Sequence, residues 1–155
     1  GSQSSEIPST LDLLPTFAKL AGAKLPANPI DGHDMSPILL GKEGAKSAHE
    51  AFYYYQMDQL QCVRSGKWKL HLALVSKKRN WGKPEGKVPL QLFDLEADIG
   101  ETTNVSADHP VVVKRLLDLA DKARGELGDV DQPGKGQRKA GWAEKASPRL
   151  LQSPN

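Results

Sequence analysis

One cysteine, nine aromatic residues and no long apolar run set the limits of this 155-residue chain. Cys62 stands alone, so it cannot close an intrachain disulfide or supply a cysteine-rich zinc module. No stretch approaches the roughly 18 consecutive apolar residues that a membrane span requires, which excludes a transmembrane protein. The N-terminus lacks the charged, apolar and small-residue succession of a secretory signal. Gly1 and Ser2 read as an expression scar, so the compartment stays open. An excess of one charge is also lacking, because 21 Lys and Arg stand against 19 Asp and Glu. The near-balance averages two unlike parts: residues 1–131 hold 16 basic and 18 acidic side chains, and residues 132–155 hold 5 and 1. The length suits one domain with one modest core. It does not suit a complete large hydrolase with packed layers and active-site loops.

Periodicity divides what is present. Leu11, Leu14, Phe17, Ala18, Leu20 and Ala21 recur at helical spacing, with Ser9 or Thr10 to cap the start and Gly22 to stop it, and predict a helix over about 10–21. Residues 26–37 read as turns, and Pro37–Leu40 as a brief helical turn ending at Gly41. Phe52–Tyr55 and Gln61–Arg64 have strand composition, and Ser65-Gly66 is a tight-turn signal. The next arm, Lys67 to Leu74, puts Trp68, Leu70, Leu72 and Leu74 on one face and Lys67, Lys69 and His71 on the other. One face should be core and the other wet. A Lys- and Gly-rich loop over 76–88 leads to a strand at 89–95. Asp108 reads as the cap of a helix that starts at Pro110 and carries apolar residues at 112, 113, 116, 117, 119, 120 and 123. The fold class is therefore α+β: a small antiparallel sheet of about four strands, a helix from about 109 to 127 packed on it, and a preceding N-terminal helix.

Four motifs in order carry a resemblance. Leu11-Asp12-Leu13-Leu14-Pro15-Thr16 with Leu20-Ala21-Gly22 comes first, then Asp31-Gly32-His33-Asp34 with Ser36-Pro37-Ile38-Leu39-Leu40-Gly41. Val63-Arg64-Ser65-Gly66-Lys67-Trp68-Lys69 follows, and last Leu92-Phe93-Asp94-Leu95 with Asp98, Gly100, Glu101 and Asn104, where Ile99 replaces a usual proline. Over roughly residues 7–128 the chain resembles the C-terminal portion of arylsulfatase-type sulfatases of the alkaline-phosphatase-like superfamily. The resemblance implies a parent that hydrolyses sulfate esters with a formylglycine nucleophile beside a calcium ion. It also implies that the nucleophile, the metal ligands and the catalytic residues lie upstream. No Cys/Ser-x-Pro-x-Arg sequence occurs here, since Cys62 is followed two residues later by Arg64. The chain alone is then expected to be inactive, with no catalytic residue, metal ligand or cofactor of its own.

The domain reading follows: residues 1–6 as scar and linker, 7–41 as a helix and turn joining the absent catalytic domain, 51–128 as the sulfatase C-terminal subdomain, and 129–155 as a basic, flexible tail. The first helix would dock on the absent catalytic domain. In the isolated fragment its apolar stripe needs another cover, for which a dimer is one solution. The parent would work in a periplasmic, secreted or lysosome-like compartment.

The basic stretch offers candidate substrate contacts. Residues 67–87 hold seven Lys and Arg and one acid, and a sulfate ester is a permanent anion that such a field can steer. His71, Lys69, Lys77, Lys78, Arg79 and Trp81 are the candidates, with Trp81 suited to stack on a ring. The competing reading is a solvated hairpin loop, the commoner fate of a charge run. Asp31, His33 and Asp34 crowd into four residues and read as a turn, not a calcium site. The Gly100-to-Asn104 stretch reads as a turn fixed by side-chain to backbone hydrogen bonds. Phe52–Tyr55 and Trp68 read as packing residues and Cys62 as a buried thiol. The basic tail lacks a second basic element or a recognisable nucleic-acid module, so neither nucleic acid nor membrane is an expected partner. Two functions are carried forward: the subdomain of a sulfatase that supports the active-site wall and helps select a sulfated small molecule or glycan, and a freestanding, non-catalytic binding module for anionic glycans.

Overall fold

The computed structural model describes residues 3–75, 77–79, 82–130, 132–139 and 144–145, with backbone alone for 77–79 and 82–85. The Ser9 hydroxyl accepts the Leu11 N–H at 3.3 Å and the Asp12 carboxylate accepts the Ser9 N–H at 2.8 Å, a reciprocal capping box. A single 3-10 turn over Thr10–Asp12 leads into α1, Leu13–Leu20. Pro15 lies in the first turn of α1, where a missing N–H removes no helical bond. The expected 10–21 helix is thus present in two geometries.

The apolar stripe of this helix is not what faces the protein. Asp12, Pro15 and Thr16 are buried, while Leu11, Leu14, Phe17 and Leu20 are each more than half exposed. The inward face is polar and holds the following turn: Thr16 Oγ1 accepts the Met35 N–H at 2.9 Å, and Asp12 Oδ1 accepts the His33 N–H at 2.8 Å. The turn can come this close because Gly32 has no side chain. A Cβ there would stand 1.9 Å from the Leu11 carbonyl oxygen. The short helix α2 then covers Ser36–Leu39.

Strands β1 (Phe52–Gln56), β2 (Gln59–Ser65) and β3 (Trp68–His71) continue as a meander, antiparallel throughout. A separate hairpin follows, β4 (Lys77–Arg79) paired with β5 (Gly82–Glu85), and then β6 (Gln91–Asp94) returns beside β3, for a sheet order β1-β2-β3-β6. Register aligns Tyr53, Val63, Leu70 and Leu92 across all four strands. Helix α3, Pro110–Leu127, covers that face. Its Leu116, Leu119, Ala120 and Ala123 pack with Leu60, Val63, Leu70, Leu72 and Leu92 in one core. Each fully buried leucine contributes about 1.5–3 kcal/mol of transfer free energy. No helix among the described residues is long and apolar enough to cross a membrane.

Several local expectations change. Tyr54 faces Cys62 while Tyr55 faces Leu60, so Gln61 is an extra residue, a bulge in β2. The bulge lets Leu60 and Val63 both reach the core three positions apart, and β2 is longer than the alternating Gln61–Arg64. β3 ends at His71, after which only a bridge joins Leu74 to Val88. The expected 76–88 loop contains the β4–β5 hairpin. Asp108 is not the cap of α3. His109 holds that position without a side-chain bond, and the proline at the first helical position suffices for initiation. Where a flexible tail is expected from 129, β7 (Gly128–Asp129) pairs with β8 (Gln132–Pro133), and the Lys135 and Gly136 N–H groups donate to the Gly125 and Glu126 carbonyls at 2.9 and 2.8 Å. The segment returns as far as Asp31, which accepts from the Arg138 guanidinium.

Two substitutions separate the buried core from the outward stripe. Leu70→Ala lowers unfolding stability by about 2–5 kcal/mol, because the site cannot collapse between α3 and the strands. Leu14→Ala stays within about 0.5 kcal/mol. Urea unfolding midpoints at constant slope check both.

Candidate functional site

The face of the sheet away from α3 carries the sequence candidates that the structure describes in full. Lys69 and His71 are two residues apart on β3, so the pleat places both on this side. They are not wet: the side chains are 17% and 27% exposed. A turn between β6 and α3 lies over them, and one carboxylate takes both. Glu101 Oε1 accepts from Lys69 Nζ at 2.5 Å, and Glu101 Oε2 lies 2.6 Å from His71 Nε2. The His71 ring stands edge-on to Phe93, with centroids 5.4 Å apart at 84°, and Lys69 Nζ sits 5.0 Å from the centre of the Tyr54 ring.

The turn that delivers Glu101 is built by its neighbours. Asp98 accepts the Thr102 and Thr103 N–H groups at 2.7 and 2.8 Å and the Thr102 hydroxyl at 3.1 Å. Asn104 Oδ1 accepts from the N–H groups of Leu92 and Ser106, both at 3.0 Å, which ties the end of the turn to β6. Asp94 accepts from Lys67 Nζ at 2.6 Å and from the Glu96 N–H at 3.1 Å. The side-chain to backbone bonds expected of this stretch belong to Asp98 and Asn104, whereas the Glu101 side chain turns to the sheet. Its backbone has φ +54, in the left-handed region that a non-glycine residue seldom enters.

Electrostatics follow from this packing. Burial works to raise the Glu101 carboxyl, but the Lys69 and His71 bonds outweigh it and hold the group below its ordinary value. Lys69 and Glu101 cancel one another, so the pair adds little net field at this face. The candidate field then rests on Lys77, Lys78 and Arg79. These form β4, on the hairpin that springs from the His71 end of β3 beyond the Leu74–Val88 bridge. Their side chains, and Trp81 altogether, lie outside the described residues. The structure therefore brings Lys69 and His71 together through Glu101, a partner about 30 positions away that no spacing rule exposes.

A second titratable cluster sits in the N-terminal unit. His49 Nε2 lies 2.8 Å from Asp12 Oδ1, and the His33 ring meets His49 edge-on with centroids 5.0 Å apart. Asp12 is 2% exposed. Burial pushes its carboxyl up, but the N–H groups of His33 and Ser9 and the His49 ring more than offset this and keep it lowered. A cleft of about 590 Å³ opens beside His49, between the N-terminal segment and the β2–β3 turn. Its cations are already engaged: Lys46 with Glu6 at 3.0 Å, Lys67 with Asp94, and Arg64 with the Ser5 and Gly66 carbonyls. Among the described residues no three His, Cys, Asp or Glu side chains converge where a metal ion could be held. Asp34 accepts the Ser36 N–H within the turn and Asp31 pairs with Arg138 of the C-terminal segment, so oxygens of both already have partners. These residues do not fit a calcium ion.

The α+β arrangement of a meander, a covering helix and a capping turn is shared with known structures. A Bacteroides thetaiotaomicron protein, from a locus for metabolism of multiple glycosaminoglycans, superposes with a TM-score of 0.56 and 28% identity over 73% of this chain and 24% of its own. In sequence, bovine (Bos taurus) arylsulfatase A is 39% identical over 114 residues, covering 64% of this chain and 22% of the relative. Human (Homo sapiens) arylsulfatase A is 35% identical over 133 residues, 74% of this chain and 26% of the relative. The family described as the C-terminal region of aryl-sulfatase matches residues 47–150, and the chain belongs to it. The chain spans about a quarter of the length of these relatives.

Acid should loosen this architecture in a defined direction. Asp12 and Glu101 have native values below their ordinary 3.8 and 4.5. Their contribution is therefore complete above those values and is lost as pH falls through the lowered native ones. Asp12→Asn loses an acceptor oxygen and its charge, costs about 1–3 kcal/mol at neutral pH, and flattens the acid limb of a stability-against-pH curve. Denaturant titrations from pH 7 to pH 2 check both effects.

Proposed function

We propose that this chain is the C-terminal subdomain of a sulfatase whose sulfate-ester hydrolysis takes place in a preceding part of a longer protein. The match to the aryl-sulfatase C-terminal region over residues 47–150 carries this reading. In that parent the formylglycine nucleophile and calcium belong to the preceding part, and no step of the reaction is assigned to residues of this chain. The subdomain supplies a wall. Helix α1 turns Leu14 and Phe17 outward, 55% and 58% exposed, and Leu11 and Leu20 continue the stripe at helical spacing, also more than half exposed. An apolar patch of this kind on a helix fastened from its polar side is an interface, and the catalytic part of the parent is its occupant.

The substrate class is a sulfated glycan. The similar Bacteroides thetaiotaomicron protein belongs to a locus for glycosaminoglycan metabolism, and here the basic residues Lys77, Lys78 and Arg79 follow the strand that carries His71. His71 is the contact on the sheet, and Lys77, Lys78, Arg79 and Trp81 are the further candidates. Lys69 is held by Glu101 and contributes mainly through that bond. The same bond weakens the case for a freestanding glycan-binding module, which would need Lys69 as an uncompensated cation.

Turnover and binding distinguish the two. The isolated chain hydrolyses no 4-nitrophenyl sulfate and binds a heparin-derived sulfated disaccharide weakly, with affinity that falls as salt rises. Turnover by the isolated chain would overturn the assignment of the nucleophile to a preceding part. Tight binding by the isolated chain would favour the freestanding module. In the longer protein, Phe17→Asp lowers solubility or stability, whereas in the isolated chain its effect stays within about 0.5 kcal/mol.

A further inference from the structure

Glu101 combines three features that a turn residue does not need. Its backbone occupies the left-handed region at φ +54, a conformation that persists only where the surroundings over-determine it. Those surroundings are present: Asp98 grips Thr102 and Thr103, the Glu101 N–H donates to the Asp98 carbonyl at 3.2 Å, and Asn104 anchors the far end to β6. Asp98 and Asn104 hold the backbone of the turn, so the Glu101 side chain adds nothing to the turn itself. Instead its carboxylate faces two basic groups on β3, at 2.5 and 2.6 Å.

The chemistry of that contact fixes a proton. An ionised carboxylate can only accept, so the His71 Nε2 must be the donor, whether the ring is neutral or charged. The edge-on packing against Phe93 opposes a ring flip. Nδ1 is then the nitrogen left for a ligand: it accepts from a sugar hydroxyl when the ring is neutral and donates to a sulfate oxygen when the ring is protonated.

We infer that Glu101 is a positioning residue, which orients His71 through Nε2 and neutralises Lys69, so that a sulfated sugar meets this face through His71 Nδ1. The ligand half of this inference rests on the proposed role of His71 as a substrate contact. The positioning half does not, and the two are read out separately.

The test is imidazole nitrogen NMR on the whole chain with ¹⁵N-labelled histidine, the His71 signals being assigned by their loss in His71→Gln. At a pH where the ring is neutral, His71 shows a proton on Nε2 that exchanges slowly and correlates with that nitrogen. Glu101→Gly removes the carboxylate while suiting the left-handed backbone, so the fold persists and the slow proton is lost. Glu101→Gln keeps an acceptor oxygen and restores the proton. A neutral His71 protonated on Nδ1, or a slow Nε2 proton that survives in Glu101→Gly, overturns the positioning role. Glucosamine 6-sulfate is then titrated into the labelled chain. Movement of the Nδ1 resonance with Nε2 held in place supports the ligand contact. A titration that shifts no His71 resonance overturns that contact, and with it the substrate role proposed for His71, while leaving the positioning result standing.

Discussion

A four-stranded sheet has two faces, and among the described residues one long helix, α3, is there to cover them. Helix α3 takes the face of Val63, Leu70 and Leu92 and buries it completely. The pleat then sends Lys69 and His71, together with Phe93 and Cys62, to the opposite side. Phe93 and Cys62 are buried there, so Lys69 and His71 beside them are partly removed from water as well. A charge so placed is costly unless paired. The turn after β6 meets that requirement with a single carboxylate, and its geometry, including the strained backbone of Glu101, follows from the need to cover a face the helix cannot reach. The pairing is not in itself a gain in stability, because replacing such an ion pair by apolar packing is often neutral or favourable.

The N-terminal unit reverses the usual logic of an amphipathic helix. Asp12 and Thr16 turn inward and hold the 31–35 turn by hydrogen bonds, which leaves the leucines and Phe17 in solvent. A helix normally docks by its apolar stripe, because burial supplies most of its stability. Here polar bonds dock one side and the stripe is kept for another surface. Under the proposed function that stripe has a rationale, as the surface that meets the preceding part of a longer protein.

Much of this was legible in the residues. Helix α3 was marked by its apolar period and by Pro110 at the start, and the meander by the alternation of Trp68, Leu70 and Leu72. The order of four motifs pointed to the family. What was hidden had physical causes. The hydrophobic stripe of residues 11–21 identified a helix, but nothing local says which face docks, and the answer lay in hydrogen bonds to a turn about 20 residues away. Glu101 occupied a conformation ordinarily read from glycine, and its partners stood on a strand about 30 positions earlier. The β4–β5 hairpin was obscured by Lys, Gly and Pro, whose composition signals a loop. The cap expected at Asp108 was unnecessary once Pro110 had set the first helical position.

The bulge at Gln61 separates the parts of this subdomain that can change length from those that cannot. Side chains alternate along a strand, so gaining or losing one residue between Gln59 and Val63 would exchange the inward and outward sets of everything on one side of it: Leu60 would leave the core and a glutamine would enter. The β4–β5 hairpin lies outside the register of the four-stranded sheet, beyond the Leu74–Val88 bridge. Insertions and deletions can therefore accumulate in the cationic arm while the sheet beneath keeps its register. A scaffold divided in this way can vary that arm without its core being rebuilt.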